Sequence, residues 1–145
     1  MDYTLLKALH IFSVLVWFGG ILANGVVLSV LNALPEAILS AALTRFRLWD
    51  LWVSNLAQGF AWIFGIWLIV DGGWYFSVGI PDGWLLAKLV LVSFLSSIHG
   101  SQTAVLRKRA KGIAAERRLF LTAHSAVLAL VCALAIPLLV VLKPF

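Results

Sequence analysis

The stretch LLKALHIFSVLVWFGGILANGVVLSVLNAL, which runs from Leu5 to Leu34, decides the fold class of this chain. Its one charged residue is Lys7, close to its start. A helix needs about 20 consecutive apolar residues to cross a hydrocarbon core roughly 30 Å thick. The stretch is longer than that, so the sequence predicts a transmembrane helix here.

Three further apolar stretches of spanning length follow along the chain. The 145 residues are 63% hydrophobic and 12% charged, with a mean hydropathy of +1.04, which leaves too little charge for the surface of a soluble domain. Because a bilayer offers the backbone no hydrogen-bond partners, helices are favoured. We predict an all-α fold, an antiparallel bundle of four transmembrane helices that forms a single domain over residues 1–145, with helices at about 5–34, 53–70, 84–106 and 119–142.

The loops place most of the positive charge on one face of the predicted bundle. The loop RKRAKGIAAERR, residues 107–118, holds six of the eleven basic residues, and the first loop adds Arg45 and Arg47. The positive-inside rule puts these loops in the cytoplasm and both termini outside, in a multi-pass protein of the cell's inner (cytoplasmic) membrane. The net charge of +5 comes mostly from one loop, so it does not indicate nucleic-acid binding. Anionic lipid is the alternative partner for that loop.

Three histidines stand out because ionisable groups inside a membrane are costly and usually functional. At ~1.5 Å rise per residue, His99 and His124 reach similar depths on sequential antiparallel helices, whereas His10 lies nearer the outer end. Two histidines facing each other in a four-helix bundle suggest axial ligation of a haem iron. The alternative is a pair of histidines hydrogen-bonded to helix carbonyls or to Ser125.

Copper is the competing metal, since imidazoles also bind it. Met1 and Cys132 are the only methionine and cysteine, so the chain is poor in soft ligands for copper(I). The acids Asp2, Asp50, Asp71 and Asp82 are predicted to lie at helix ends or in loops. That placement argues against a proton path through carboxylates.

Several strings in the chain resemble one family of membrane proteins. KALHIFSVLVWFGG (residues 7–20), AWIFGIWLI (61–69), GWLLAKLVLVSFLSSIHG (83–100) and the terminal VVLKPF (140–145) are similar to the HemJ-type protoporphyrinogen oxidases, within a wider group that includes the copper-resistance CopD-like proteins. The resemblance implies a membrane protein that binds haem b and takes part in oxidation of protoporphyrinogen IX. The matching positions are His10, Lys88 and His99.

The chain departs from the family pattern where chemistry is expected. Leu86 replaces a family histidine, and LTAHSAVL, residues 121–128, replaces an acid-containing motif and supplies His124. His10 and Lys88 are then the candidate catalytic residues, as proton acceptors on the outer side. His99, His124 and His10 are the candidate cofactor-binding residues, with His99 and His124 as the metal ligands. These departures favour a divergent member with weak or absent oxidase activity.

Three functions follow as hypotheses. The first is a haem b redox protein that passes electrons between a quinone or porphyrinogen and its iron. The second is a copper-transport or copper-resistance component. The third is a small non-catalytic subunit of a larger membrane complex, in which the histidines are structural. The partners considered are such a complex or, in a homo-oligomer, further copies of the chain.

Overall fold

The computed structural model describes residues 2–31, 36–73, 83–113 and 124–142. Within them the chain is helical and contains no strand. The elements are α1 (Tyr3–Leu31), α2 (Glu36–Trp49), a π-turn (Asp50–Ser54), α3 (Asn55–Asp71), α4 (Gly83–Ala110) and α5 (Ser125–Leu142).

Within the described residues, four helical segments are long and apolar enough to cross a membrane, which confirms the predicted fold class. They are Tyr3–Ser29, Ala42–Asp71, Gly83–Ala110 and Ser125–Leu142. Large apolar side chains remain exposed along all four, for example Phe12, Ile63, Val90 and Leu134. In water this surface would be unfavourable, but lipid chains are equally apolar. The chain is therefore a multi-pass membrane protein whose exposed faces contact lipid.

The second spanning segment differs from the prediction of a helix at 53–70. The helix already runs from Glu36, and α2, the π-turn and α3 follow one another without a break. The sequence EAILSAALTRFRLW of α2 contains neither glycine nor proline, so nothing in it interrupts a helix. The first loop was predicted to hold Arg45 and Arg47, and both belong to α2 instead.

Two clusters of buried apolar residues hold the helices together. The larger one joins α1, α3, α4 and α5 at mid-height, and the smaller one lies near the basic ends of α2 and α4. The members of the larger cluster are Trp17, Ile21, Ala57, Ala61, Leu95, Ile98, Ala129 and Cys132. Those of the smaller cluster are Leu28, Leu43 and Leu106.

Glycine brings α1 close to two neighbours. A Cβ atom built on Gly20 would lie 2.6 Å from the Cβ of Ser54, and one on Gly25 would lie 3.2 Å from the Cβ of Ala126. Small residues such as the Gly19–Gly20 pair allow helices to pack closely. Gly20 does so against the π-turn, whereas nothing approaches Gly19 within 4 Å.

The direction of the bundle in the membrane stays a prediction from loop charge. A reporter that is active only in the cytoplasm is expected to be silent when fused after Phe145 and active when inserted near Gly112, because positively charged loops are retained inside. The reverse pattern would contradict the orientation with both termini outside.

Candidate functional site

A buried carboxylate and a buried imidazole meet inside the bundle. Nε2 of His99 lies 3.2 Å from Oδ1 of Asp50, and both side chains have no solvent exposure. Asp50 comes from the π-turn and His99 from the middle of α4. Because a bilayer makes isolated charges costly, ionisable residues at this depth usually pair and usually carry function.

Four donors from three helical segments point at the carboxylate of Asp50. Its Oδ1 accepts from Asn24 Nδ2 at 2.7 Å as well as from His99. Its Oδ2 accepts from Thr103 Oγ1 at 2.9 Å and, at the long distance of 3.5 Å, from Asn55 Nδ2. A carboxylate that accepts several hydrogen bonds is held in its ionised form. The site is therefore built around an anion.

The π-turn is the element that places Asp50. A π-helical turn closes i→i+5 hydrogen bonds, and such turns occur frequently at functional sites. Here the backbone N–H of Asn55 donates to the carbonyl oxygen of Asp50, and the side-chain Nδ2 of Asn55 donates to the same oxygen at 3.1 Å. Asn55 thus holds the turn and also lies beside the carboxylate.

The other ring nitrogen of His99 has two partners of opposite type. Trp17 Nε1 lies 3.2 Å from His99 Nδ1 and, as an indole N–H, acts as a donor. Gln58 Oε1 lies 2.9 Å from the same nitrogen and acts as an acceptor. When Nδ1 is unprotonated, it accepts a hydrogen bond from the indole N–H of Trp17. When Nδ1 is protonated, it donates to Oε1 of Gln58. The protein thus provides a partner for either state of the nitrogen.

His10 occupies a separate position towards the predicted outer end. Its Nδ1 donates to the carbonyl oxygen of Ala61 at 3.0 Å, and Gly65 leaves room for the ring, because a Cβ there would lie 3.0 Å from His10 Cε1. His10 precedes Trp17 by seven residues, about 10 Å along α1. Lys88 is half-buried in the second turn of α4. The candidate catalytic residues are thus not part of the Asp50–His99 cluster.

The predicted helix 119–142 would contain His124, but in the structure this residue lies outside α5. It directly precedes α5, its side chain is exposed, and its carbonyl oxygen accepts from Leu128 N at 2.9 Å. The predicted first residues of that helix, 119–123, lie outside the described residues. The polar pair His124–Ser125 interrupts the apolar run, which fits a helix that begins at Ser125.

As placed, His99 does not fit an axial haem ligand. Both of its ring nitrogens have protein partners, and an iron would have to displace one of them. In residues 2–31, 36–73, 83–113 and 124–142, no three side chains of His, Cys, Asp or Glu gather as a metal site would require. Ligation of iron by His99 and His124 stays a prediction.

Sequence reasoning missed Asp50 because it placed this residue at a helix end. That placement is wrong, since Asp50 lies beside His99 inside the bundle. One signal was present: Asp50 stands in LWDLWV, residues 48–53, where every other residue is apolar. A lone acid in such a run is expected to be buried and paired when the run is helical.

Comparison with known proteins found no relative that would assign a function to this site. No family model matches the chain, and neither a curated protein nor a solved structure matches it significantly.

Proposed function

We propose that this chain is a proton-handling membrane protein in which His99 takes up and releases a proton within the bilayer, with Asp50 as its fixed anionic partner. The observation that carries the proposal is the pair of opposite partners at His99 Nδ1, Trp17 at 3.2 Å and Gln58 at 2.9 Å. Proton relays made of Asp, Glu and His side chains are a known use of ionisable residues inside membranes.

The charges of the cluster support this division of roles. Asp50 accepts from four protein donors, which stabilise the carboxylate whether or not His99 is charged. His99 directs Nε2 at this anion, so its Nε2–H donates to Asp50 in both states. A proton gained at Nδ1 converts the pair from a buried anion into a neutral ion pair. Asp50 thus offsets the desolvation that disfavours a buried imidazolium.

The direction of proton exchange follows from the position of Nδ1. Gln58 follows Asp50 by eight residues, about 12 Å further along the helical segment towards the end that carries His10. His10 contacts Ala61, one turn beyond Gln58. Nδ1 therefore faces the end of the bundle that is predicted to be outside, and Nε2 faces the end with the basic residues. We place the uptake of the proton at the outward-facing Nδ1 and the release of the proton on Nε2, by way of Asp50, at the end with the basic residues. A flip of the ring then restores the neutral form that carries its proton at Nε2.

Proton uptake into vesicles tests the proposal. Vesicles that contain the purified protein and a trapped pH-sensitive dye are expected to take up protons when a potassium diffusion potential, negative inside, is applied. His99→Gln and Asp50→Asn should each lower the rate on the order of a hundredfold, the contribution typical of a positioned acid–base group. Ser97→Ala is the matched control, because Ser97 is exposed on the same helix and bonds only its own helix at Ser93. Uptake equal to that of protein-free vesicles, or unchanged in His99→Gln, would overturn the proposal.

The haem b, copper and small-subunit hypotheses rest on the sequence and its resemblance. The absorption spectrum of the purified protein tests the first of them. A Soret band with sharp reduced bands that is lost in His99→Ala and His124→Ala and kept in His10→Ala would support ligation by His99 and His124. A colourless protein that also lacks copper would contradict both metal hypotheses.

A further inference from the structure

Within the described residues, three buried polar atoms have no hydrogen-bond partner. They are Oδ1 of Asn24, Oγ of Ser54 and Oε1 of Gln102, and none of these residues is exposed at all. An unsatisfied buried polar group is unfavourable, so such atoms usually mark a bound water or ion. Three such atoms in one small bundle require an explanation.

Exchanging the oxygen and nitrogen of either side-chain amide, Asn24 or Gln102, does not satisfy the unpaired carbonyl oxygen. Asn24 directs Nδ2 at Asp50 Oδ1, which accepts hydrogen bonds but cannot donate one while ionised. Gln102 directs Nε2 at the carbonyl oxygen of Ile21 at 3.2 Å and at Ser125 Oγ at 2.8 Å. Exchanging O and N in either amide would bring two acceptors together. Oδ1 of Asn24 and Oε1 of Gln102 therefore need a hydrogen-bond donor other than the described side chains.

All three atoms border one turn of α1. Ser54 Oγ lies against Gly20, Gln102 is bonded to the carbonyl of Ile21, and Asn24 ends the turn. Gly20 lets the Ser54 side chain approach α1 closely, and positions i and i+4 of a helix share one face. Side chains from the π-turn and α4 thus approach the same turn of α1, between Gly20 and Asn24.

We infer that a buried water molecule is bound at this turn of α1 by Asn24, Ser54 and Gln102. Water offers two hydrogens and accepts from a hydroxyl, so it can donate to Oδ1 of Asn24 and to Oε1 of Gln102 while it accepts from Ser54 O–H. That makes three hydrogen bonds, the number typical of a buried water. The inference goes beyond the proposed function and holds whether or not His99 carries a proton. Asn24 bonds both this water and Asp50, so the water holds Asn24 in the position from which it donates to the carboxylate.

Water-edited solid-state NMR of the ¹⁵N-labelled protein in lipid bilayers tests the inference directly. The side-chain amides of Asn24 and Gln102 are expected to receive magnetisation from water at short mixing times, although neither is exposed. The indole N–H of Trp17 is the internal control, because it is equally buried but is bonded to His99. No transfer to Asn24 and Gln102, or equal transfer to Trp17, would overturn the bound water.

Two serine variants add a matched comparison. Ser54→Ala removes one of the three partners of the water and should weaken the transfer to both amides. Ser13→Ala should leave the transfer unchanged, because the buried hydroxyl of Ser13 donates to the carbonyl of Leu9 at 2.8 Å and does not border the site. Transfer that is the same in Ser54→Ala as in the unmodified protein would contradict the three-partner site.

Discussion

Replacing Asp50 by alanine is expected to lower the free energy of unfolding by about 3–5 kcal/mol, the range found when one partner of a buried ion pair is removed. The carboxylate accepts from Asn24, Thr103 and His99 at 2.7, 2.9 and 3.2 Å. In the variant each of these donors is left without an acceptor in a site that has no solvent exposure. The loss is measured by unfolding the protein in detergent micelles while monitoring tryptophan fluorescence.

Asp71→Ala is the matched control for this loss. Asp71 is also an aspartate of the second spanning segment, but it is exposed at the last residue of α3. Its replacement should change the unfolding free energy by less than about 0.5 kcal/mol, as is usual at exposed positions. Equal effects of the two alanine variants would show that the network around Asp50 does not stabilise the fold.

Replacing Gly20 by valine is expected to destabilise the protein by about 1–3 kcal/mol, the usual cost of overpacking a core. The new Cβ atom would lie 2.6 Å from the Cβ of Ser54, so α1 and the π-turn would have to move apart. Asn24 lies on the same α1 face, one turn away. The shift should therefore also lengthen its hydrogen bond to Asp50. The same unfolding measurement in detergent detects the effect.

Two further variants separate this clash from a general effect of valine. Gly19→Val should be nearly neutral, because nothing lies within 4 Å of a Cβ at Gly19. Adding Ser54→Gly to Gly20→Val should restore most of the stability, since the nearest remaining atom of residue 54 would be its Cα at 3.5 Å. A Gly20→Val protein as stable as Gly19→Val would refute the close contact between α1 and the π-turn.

The spanning helices were predictable from the sequence because length and hydropathy decide them. A run such as SAVLALVCALAIPLLVVL of α5 has no charged residue, and in a bilayer it has few alternatives to a helix. The predicted ends were less accurate where polar residues border the membrane. α4 continues to Ala110 through Arg107, Lys108 and Arg109, because basic side chains are favourable in the last turn of a helix.

The candidate site was predictable only in part. His99 was identified, because a histidine in an apolar helix is conspicuous. Its partner Asp50 was not, since the charges of Arg45 and Arg47 made residues 36–52 resemble a loop. The π-turn that orients Asp50 has no sequence signature of its own. The donors around Asp50 come from segments far apart in the chain, and which of them meet depends on tertiary packing.

Depth alone also proved insufficient to pair the histidines. Counting residues at a fixed rise placed His99 and His124 at a similar level, but depth does not define which way a side chain points. His99 turns inwards to Asp50, and His124 is exposed at the start of α5. Rotation about the helix axis is set by packing, for example by Gly20 against Ser54.

The protonation state of His99 inside the bilayer is the most direct test of the central claim. With three histidines in the chain, the ring nitrogens can be followed by ¹⁵N NMR of histidine-labelled protein in lipid, and His10→Gln and His124→Gln identify the signal of His99. We expect the His99 ring in two states, a neutral form protonated at Nε2 and an imidazolium that also carries a proton at Nδ1 and donates to Gln58. In Asp50→Asn only the neutral form should remain, because the imidazolium loses its anionic partner. A His99 ring that keeps one protonation state wherever the protein is folded would contradict the account.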